Sequence, residues 1–236
     1  MFRWKSIFLI ADDFISLIFP RSCQACGKSL VRNENLVCTE CLVDIPKTNF
    51  HLMRDNILEK GFYGRCYIEK AAAWSYYRQG SKIQKIIHNL KYKGIKPLGP
   101  YLGRMYGLAL KESDFCDDID IIIPVPLHKT RRRKRGFNQT ELIARGLSEA
   151  IGLPVIDDVL IRHKASVTQT SKQRYDRWTN VESIFALNEH TVIEDKHILL
   201  LDDVITTGST IEACASELLR IKGVKVSVAA IAAAER

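Results

Sequence analysis

The chain has 236 residues, of which 46% are hydrophobic, and its formal net charge at pH 7 is +8. A chain of this length forms one large domain or a domain with a small module, and the hydrophobic fraction is sufficient for a packed core. No stretch is long and apolar enough for a membrane-spanning helix, and the uneven positive charge favours an anionic ligand or partner.

The first twenty residues resemble an export signal at first sight, because Arg3 and Lys5 precede an apolar run. Asp12 and Asp13 interrupt that run too early for an export core, and no small-residue cleavage site follows. The apolar residues instead approximate one face of a helix that ends before Pro20. We therefore expect an amphipathic helix that docks on the protein's own core, in a cytoplasmic protein.

Four of the seven cysteines form two C-x-x-C pairs near the N-terminus. Four thiolates from two tight turns suit the tetrahedral geometry of zinc, and an all-Cys set leaves no open position for water. Two disulfides or free thiols are the alternative, but without an export signal we favour structural Zn²⁺. The predicted ligands are Cys23, Cys26, Cys38 and Cys41.

After the cysteine module, the apolar pattern predicts alternating strands and helices. Residues 71–77 are typical of a strand, a capped helix then ends at Gly94, and Pro97 opens another helix. Lys91 and Tyr92 near the end of the first helix are only weak binding candidates, because the helix macrodipole already explains cations there.

The densest positive charge follows a second predicted strand, at residues 119–125. We expect a loop at residues 129–135, where six of seven positions are Lys or Arg. Such a run repels itself unless an anion lies nearby, although a solvated basic loop is a common alternative. Because ligands of open α/β sheets bind at the carboxyl ends of strands, we favour anion binding here.

A helix, an edge strand and a long polar loop come next. Asn138 is expected to cap the helix, with Glu141 completing a capping box. Residues 155–161 are typical of an edge strand, and residues 162–180 form a polar loop of the length that is usually functional or disordered. A short strand follows at residues 185–187.

The most informative stretch begins with a continuous apolar run at residues 198–201, which predicts a strand buried on both faces. Asp202 and Asp203 follow directly, and a short loop of hydroxylic residues with one glycine comes after them. Unpaired N–H groups at the start of the next helix can bind a phosphate, and Gly208 lets the backbone approach it. The further donors of this loop are the hydroxyl groups of Thr206, Thr207, Ser209 and Thr210.

The helix after this loop has start and stop signals in the sequence. Ser209 followed by Glu212 predicts a capping box, and Gly223 is a plausible end of the helix. Residues 224–230, rich in Val and Ala, predict a closing strand.

Strand, paired Asp and Thr-Thr-Gly-Ser-Thr together resemble the phosphoribosyl pyrophosphate (PRPP) motif of type I phosphoribosyltransferases. In that motif the acidic pair accepts hydrogen bonds from ribose hydroxyls. An ordinary strand–turn–helix is the alternative, and strand-Asp-Asp also occurs in phosphoacceptor and metal sites. No Lys follows the glycine, so this is not a Walker A loop.

Strands that alternate with capped helices predict an α/β fold with a parallel sheet flanked by helices. The carboxyl ends of the strands would then collect the acidic pair, the hydroxylic loop and the basic segment at one edge of the sheet. We expect a small N-terminal module at residues 1–66 and a phosphoribosyltransferase-like domain at residues 67–236.

Further motifs lie along nearly the whole chain: Pro20-x-x-Cys23-x-x-Cys26, Cys38-x-x-Cys41, Pro124-Val125-Pro126-Leu127, Arg135-Gly136-Phe137-Asn138-Gln139, Thr168-Gln169, Asn180-Val181, Phe185 and the segment 201–210. Together they resemble the ComF family of phosphoribosyltransferase-like proteins. In the N-terminal region only Cys66 remains beyond Cys41, whereas many members of that family have a further C-x-x-C pair, so we expect no second zinc site.

The resemblance implies binding of PRPP with Mg²⁺, a role in the uptake of transforming DNA, and single-stranded DNA or other competence proteins as partners. Asp202 and Asp203 would be the catalytic pair, with Lys129 and Arg133 on the pyrophosphate. Arg174 and Arg177 would belong to a lid.

Three functions remain open from the sequence. An active phosphoribosyltransferase and a non-catalytic PRPP sensor that holds single-stranded DNA use the same residues, so the sequence does not separate them. Tyr92, Phe137 and Trp178 could stack on DNA bases or could belong to the core. A purely structural zinc adaptor leaves the Asp-Asp-Thr-Thr-Gly segment unexplained.

Overall fold

The computed structural model describes residues 21–163, 184–188 and 192–235. The predicted N-terminal helix, the lid residues Arg174 and Arg177, and Trp178 lie outside these residues.

Two sets of elements make up the described part of the chain. The strands are β1 (Ala71–Tyr77), β2 (Ile121–Pro124), β3 (Leu160–Arg162), β4 (Phe185–Leu187), β5 (His197–Ile205) and β6 (Lys225–Ala234). The α-helices are α1 (Thr39–Val43), α2 (Ile57–Lys60), α3 (Lys82–Lys93), α4 (Leu98–Lys111), α5 (Lys129–Arg135), α6 (Gln139–Ile151) and α7 (Ser209–Leu218).

A four-stranded parallel sheet in the order β1–β6–β5–β2 forms the centre of the fold. The central strands β5 and β6 are buried along most of their length, as their continuous apolar runs predict. Because all four strands run in the same direction, their carboxyl ends meet at one edge, as expected. That edge positions the candidate site.

The single edge strand predicted at residues 155–161 is divided into two separate pairings in the structure. Val155 forms a single parallel bridge with Ile122 beside β2, whereas β3 begins only at Leu160 and pairs antiparallel with β4 outside the main sheet. Asp157 and Asp158 lie between these two pairings and are exposed. Two consecutive charged side chains keep this stretch in water and divide the predicted strand.

The prediction of a basic loop at residues 129–135 is wrong, because these residues form the helix α5. His128 Nδ1 accepts a hydrogen bond from Thr130 N at 3.3 Å, and Gly136 ends the helix with a φ of 79°. Lys and Arg are strong helix formers, and cations near a helix C-terminus interact favourably with the macrodipole. These effects outweigh the repulsion on which the loop prediction relied.

Two capping predictions also need correction. Asn138 caps α6 through Thr140 N, but its amide donates to the Glu141 carboxylate at 3.2 Å instead of forming the expected capping box. The N-cap of α7 is Gly208, without a side-chain cap, and this helix ends at Leu218, before Gly223. Ser209 is therefore the first helical residue.

The region before β1 packs directly on the sheet. Thr48 Oγ1 donates to Ala73 O, and Asn56 Nδ2 donates to Ala71 O at 2.9 Å. Phe62 belongs to the same hydrophobic core as the sheet strands. Packing is thus continuous across residues 66 and 67, and the division into two domains there stays a prediction.

Candidate functional site

The loop at residues 206–210 connects the carboxyl end of β5 to the N-terminus of α7. Thr207 Oγ1 lies 3.0 Å from Ser209 Oγ and accepts a hydrogen bond from Ser209 N at 3.4 Å. These bonds turn the chain sharply into the helix. The side chains of Thr206, Thr207 and Ser209 are exposed at this edge of the sheet, where a ligand can reach them.

Gly208 is required at its position for two reasons. Its φ of 81° lies in the left-handed region, where residues with a Cβ are strained. A Cβ there would also lie 2.9 Å from Cε1 of Phe62, which is too close for carbon atoms. The ring of Phe62 thus forms the floor of the 206–210 loop.

The acidic pair, Asp202 and Asp203, lies within β5 and not after it, because this strand continues to Ile205. Because successive side chains of a strand point to opposite faces, the two carboxylates have different surroundings. Asp203 is buried and lies 2.8 Å from Nζ of Lys91, on the last turn of α3. Lys91, only a weak binding candidate from the sequence, is therefore the charge partner of the acidic pair.

Asp202 has an unusual protonation equilibrium. Burial raises the pKa of its carboxyl from the usual 3.8 to about 7, and the neighbouring charge of Asp203 adds to the rise. Its Oδ1 accepts a hydrogen bond from Asp203 N at 2.7 Å, which acts in the opposite direction. The pair can therefore hold a proton near neutral pH, as two close carboxylates commonly do.

A basic cavity of about 470 Å³ lies between α3 and α5. Tyr92 is 71% exposed in its wall, and the guanidinium of Arg135 lies 5.5 Å from the centre of its ring. Among the described residues, no acidic side chain lines the cavity. The described residues that line it are Lys91, Tyr92, Lys93, Gly94, Arg131, Lys134 and Arg135.

Several predicted residues lie elsewhere. Lys129 and Arg133 are exposed on α5 and are not part of the lining of the basic cavity. Phe137 is buried, with Nζ of Lys96 5.4 Å from its ring centre, so it does not offer a surface for base stacking. Of the three aromatic candidates, Tyr92 alone is both described and exposed.

The four cysteines of the two C-x-x-C pairs form one cluster, whose sulfur atoms all lie within 4.8 Å of one another. Cys26 Sγ lies 3.8 Å from Cys38 Sγ, and tetrahedral metal–sulfur bonds of about 2.3 Å would separate the sulfurs by about 3.8 Å. This four-Cys cluster therefore fits a metal ion such as zinc.

Backbone donors favour the thiolate form of one member of the four-Cys cluster, Cys23. The N–H groups of Ala25 and Cys38 point at Cys23 Sγ, at 3.4 and 3.3 Å. Burial alone would raise the pKa of Cys23, but these donors and that of Cys26 outweigh it and lower this pKa to about 6. All four thiols are free, which excludes the two disulfides considered as the alternative.

Comparison with known proteins shows a domain match and several similar proteins. Residues 133–236 match the family model described as phosphoribosyl transferase domain. Competence protein F of Haemophilus influenzae is 33% identical over 147 residues, which are 59% of this chain and 62% of that protein. Competence protein ComFC of Bacillus subtilis is 24% identical over 95% of this chain and 86% of its own. The domain match and these relatives support a ComF-family protein.

A further relative and two solved structures are also similar to parts of the chain. DNA utilization protein YhgH of Escherichia coli strain K12 is 27% identical over 87% of both chains. An adenine phosphoribosyltransferase structure gives a TM-score of 0.38 with 14% identity, over 64% of this chain and 74% of its own. A structure of the allosteric regulatory enzyme of purine biosynthesis has a TM-score of 0.39 and 20% identity, over 56% of this chain and 26% of that chain.

The predicted fold class is confirmed: a parallel sheet flanked by helices, with the four-Cys cluster in the N-terminal region. Among the described residues, no helix has both the length and the hydropathy needed to cross a membrane. The contact of Phe62 and Arg65 with the 206–210 loop was missed from the sequence. Arg65 and Thr207 are 142 positions apart in the chain, and no sequence pattern indicates a contact between residues so far apart.

Proposed function

We propose that the chain binds PRPP with Mg²⁺ at the carboxyl end of β5 and transfers its phosphoribosyl group. One observation carries this proposal: the acidic pair and the 206–210 loop lie at the same sheet edge, ahead of the N-terminus of a ten-residue helix. The acidic pair offers acceptors for sugar hydroxyls, and the 206–210 loop offers donors for a phosphate. A sugar phosphate is the ligand that uses both.

The 206–210 loop would hold the 5′-phosphate. Gly208 brings the backbone close, N–H groups in the first turn of a helix have no partner within the helix, and the macrodipole favours the anion. The hydroxyls of Thr207 and Ser209 already lie 3.0 Å apart, which is the spacing at which two hydroxyls can bind neighbouring oxygens of one phosphate. Binding here would fix the sugar relative to the acidic pair.

Asp202 and Asp203 would accept hydrogen bonds from the ribose hydroxyls. When the bond to pyrophosphate breaks, positive charge develops on the ring, and carboxylates close to the sugar stabilise it. Lys91 holds Asp203 in place through the 2.8 Å contact and limits the repulsion between the two acids. In the absence of ligand, the raised pKa of Asp202 also keeps the pair from carrying two full negative charges.

Cations would receive the pyrophosphate. We assign this role to Lys129 and Arg133 on α5, the helix that follows β2 in the chain. We propose that Arg174 and Arg177 belong to a lid that closes over the ligand. Mg²⁺, bound with PRPP, would neutralise the leaving group. The raised density of positive charge around α5 supports a strongly anionic leaving group at this edge.

We propose zinc as the metal of the four-Cys cluster, held by Cys23, Cys26, Cys38 and Cys41. Four Cys ligands close the coordination sphere, so this metal has a structural role. Free thiols suit a reducing compartment, and we propose that the protein is cytoplasmic.

Release of pyrophosphate tests the transferase activity. Purified protein with PRPP and Mg²⁺ should release pyrophosphate in the presence of one class of acceptor among bases, nucleosides and oligonucleotides. The D202N/D203N variant should not. PRPP binding without pyrophosphate release from any acceptor would favour the non-catalytic sensor.

A second function is supported by the basic cavity. A single pyrophosphate needs only a few donors, yet α5 alone has six cations, and the cavity adds the exposed ring of Tyr92. Cations that track a backbone beside an aromatic ring are typical of proteins that bind single-stranded nucleic acid. Together with the relatives named for competence and DNA utilization, this supports single-stranded DNA as a partner in DNA uptake, with other competence proteins as further partners.

A further inference from the structure

The guanidinium of Arg65 links the N-terminal region to the 206–210 loop. Its Nη1 donates to the carbonyl oxygen of Thr207 at 2.9 Å, and its Nε donates to the carboxylate of Glu212 at 3.1 Å. Nη1 also donates to Gly61 O at 3.2 Å, which fixes the side chain against its own turn. Arg65 thus holds both the loop and the first turn of α7.

The turn that carries Arg65 is itself firmly placed. Asn56 caps α2 and donates to Ala71 O at 2.9 Å, and Glu59 accepts from Ala71 N at 3.1 Å. Both bonds attach α2 to the start of β1. Phe62, on the same turn as Arg65, is buried beneath Gly208.

The charge of Glu212 is the reason that this contact matters for a ligand. Glu212 lies in the first turn of α7, at the helix end where a phosphate would bind. An acidic side chain there is favourable in the free protein but repels an incoming dianion. Arg65 neutralises this carboxylate and at the same time occupies the Thr207 carbonyl, whose partial negative charge would also oppose an anion.

We propose that Arg65 is a positioning residue for the phosphate of the sugar ligand, acting by neutralising Glu212 and by fixing the Thr207 carbonyl. The N-terminal region thereby contributes to ligand affinity as well as to the fold. The inference rests on the proposed function, because it assumes that PRPP binds at the 206–210 loop.

A charge-rescue experiment tests the proposal. The affinity of the full chain for PRPP with Mg²⁺ is measured by titration calorimetry for wild type, R65Q, E212Q and R65Q/E212Q. We expect R65Q to bind PRPP on the order of tenfold more weakly, because the uncompensated charge of Glu212 then repels the phosphate. E212Q alone should change the affinity little, and the double variant should regain most of what R65Q loses, because the uncompensated charge is gone.

Matched controls separate this role from a structural one. R104Q breaks another Arg–Glu pair, Arg104–Glu149 at 2.6 Å on the exposed faces of α4 and α6, and should leave the PRPP affinity unchanged. R65K keeps the charge and should lose less affinity than R65Q. It also provides a second, more conservative variant in case R65Q fails to fold.

The outcomes are distinct. Wild-type affinity in R65Q, or a loss in R65Q that E212Q does not reverse, would overturn the positioning role while leaving PRPP binding intact. Failure of the wild type to bind PRPP would overturn the proposed function and this inference together.

Discussion

At the scale of single residues, the protonation of Asp202 sets the behaviour of the acidic pair. In the folded chain, burial and the charge of Asp203 raise the pKa of Asp202 from the usual 3.8 to about 7. Between about pH 4 and pH 7 the unfolded chain has therefore lost this proton while the folded chain keeps it. The free energy of unfolding falls as pH rises through that window, because stability decreases wherever the unfolded state binds fewer protons.

The D202N variant tests this dependence. Its amide cannot ionise, so the decrease in unfolding free energy between pH 5 and pH 8, on the order of 3 kcal/mol for the wild type, should shrink. Urea unfolding at several pH values measures it. D157N removes an exposed carboxylate and should keep the wild-type profile. Parallel profiles for D202N and wild type would show that Asp202 ionises normally.

At the scale of elements, the sequence predicted most strands and helices because their signals are local. The helix α3 begins after Ser81, whose side chain accepts from Gln84 N, and ends at Gly94 with a φ of 68°, as the cap residues indicate. The strand β5 is longer than its apolar run, because the sheet continues to pair with β6 beyond Asp202. A hydropathy pattern does not detect a strand that contains carboxylates.

The parts that could not be predicted depend on distant contacts. Glu212 was expected to cap α7 with Ser209, but in the folded chain it is the partner of Arg65. The end of α7 was expected at Gly223, yet that glycine is needed for a different reason, since a Cβ there would lie 1.8 Å from Asp195 Oδ1. In both cases a residue with a plausible local role serves a tertiary contact.

The helix α5 makes the clearest prediction at this scale, since it presents cations in two directions. Arg131 and Lys134 line the basic cavity, whereas Lys129 and Arg133 do not. If single-stranded DNA lies in the cavity beside Tyr92, R131A/K134A should flatten the dependence of log affinity on log salt by about 1.4, or 0.7 for each phosphate contact.

The matched control for DNA binding is K129A/R133A, which removes the same charge from the same helix. Fluorescence anisotropy with a labelled oligonucleotide between 50 and 200 mM salt, without PRPP, compares the two variants. Equal slopes for both would place the DNA outside the cavity, and no binding by the wild type at low salt would exclude this partner.

At the scale of the whole molecule, the four-Cys cluster and the sheet belong to one hydrophobic core. The cluster precedes Phe62 and Arg65 in the chain, and these two residues contact the 206–210 loop. A metal ion bound in the cluster would stabilise the same hydrophobic core.

Metal analysis of the purified protein should give about one zinc per chain, as closure by four Cys ligands requires. C38S should lose the metal and melt at a lower temperature, whereas C116S, at an isolated and half-buried cysteine, should keep both the metal and the fold. Two metal ions per chain, or a metal-free wild type that is fully folded, would contradict this assignment.

The central claim is that PRPP binds at the carboxyl end of β5, and the thermal shift that PRPP causes in the presence of Mg²⁺ tests it most directly. At a hundredfold excess over the dissociation constant, binding adds about 2.7 kcal/mol, or about 5–10 °C in melting temperature. We expect this shift for the wild type and for D157N/D158N, which removes an exposed acidic pair. We expect none for D202N/D203N or for G208V, each compared with its own melting temperature without ligand. A D202N/D203N variant that responds to PRPP as the wild type does would contradict the account.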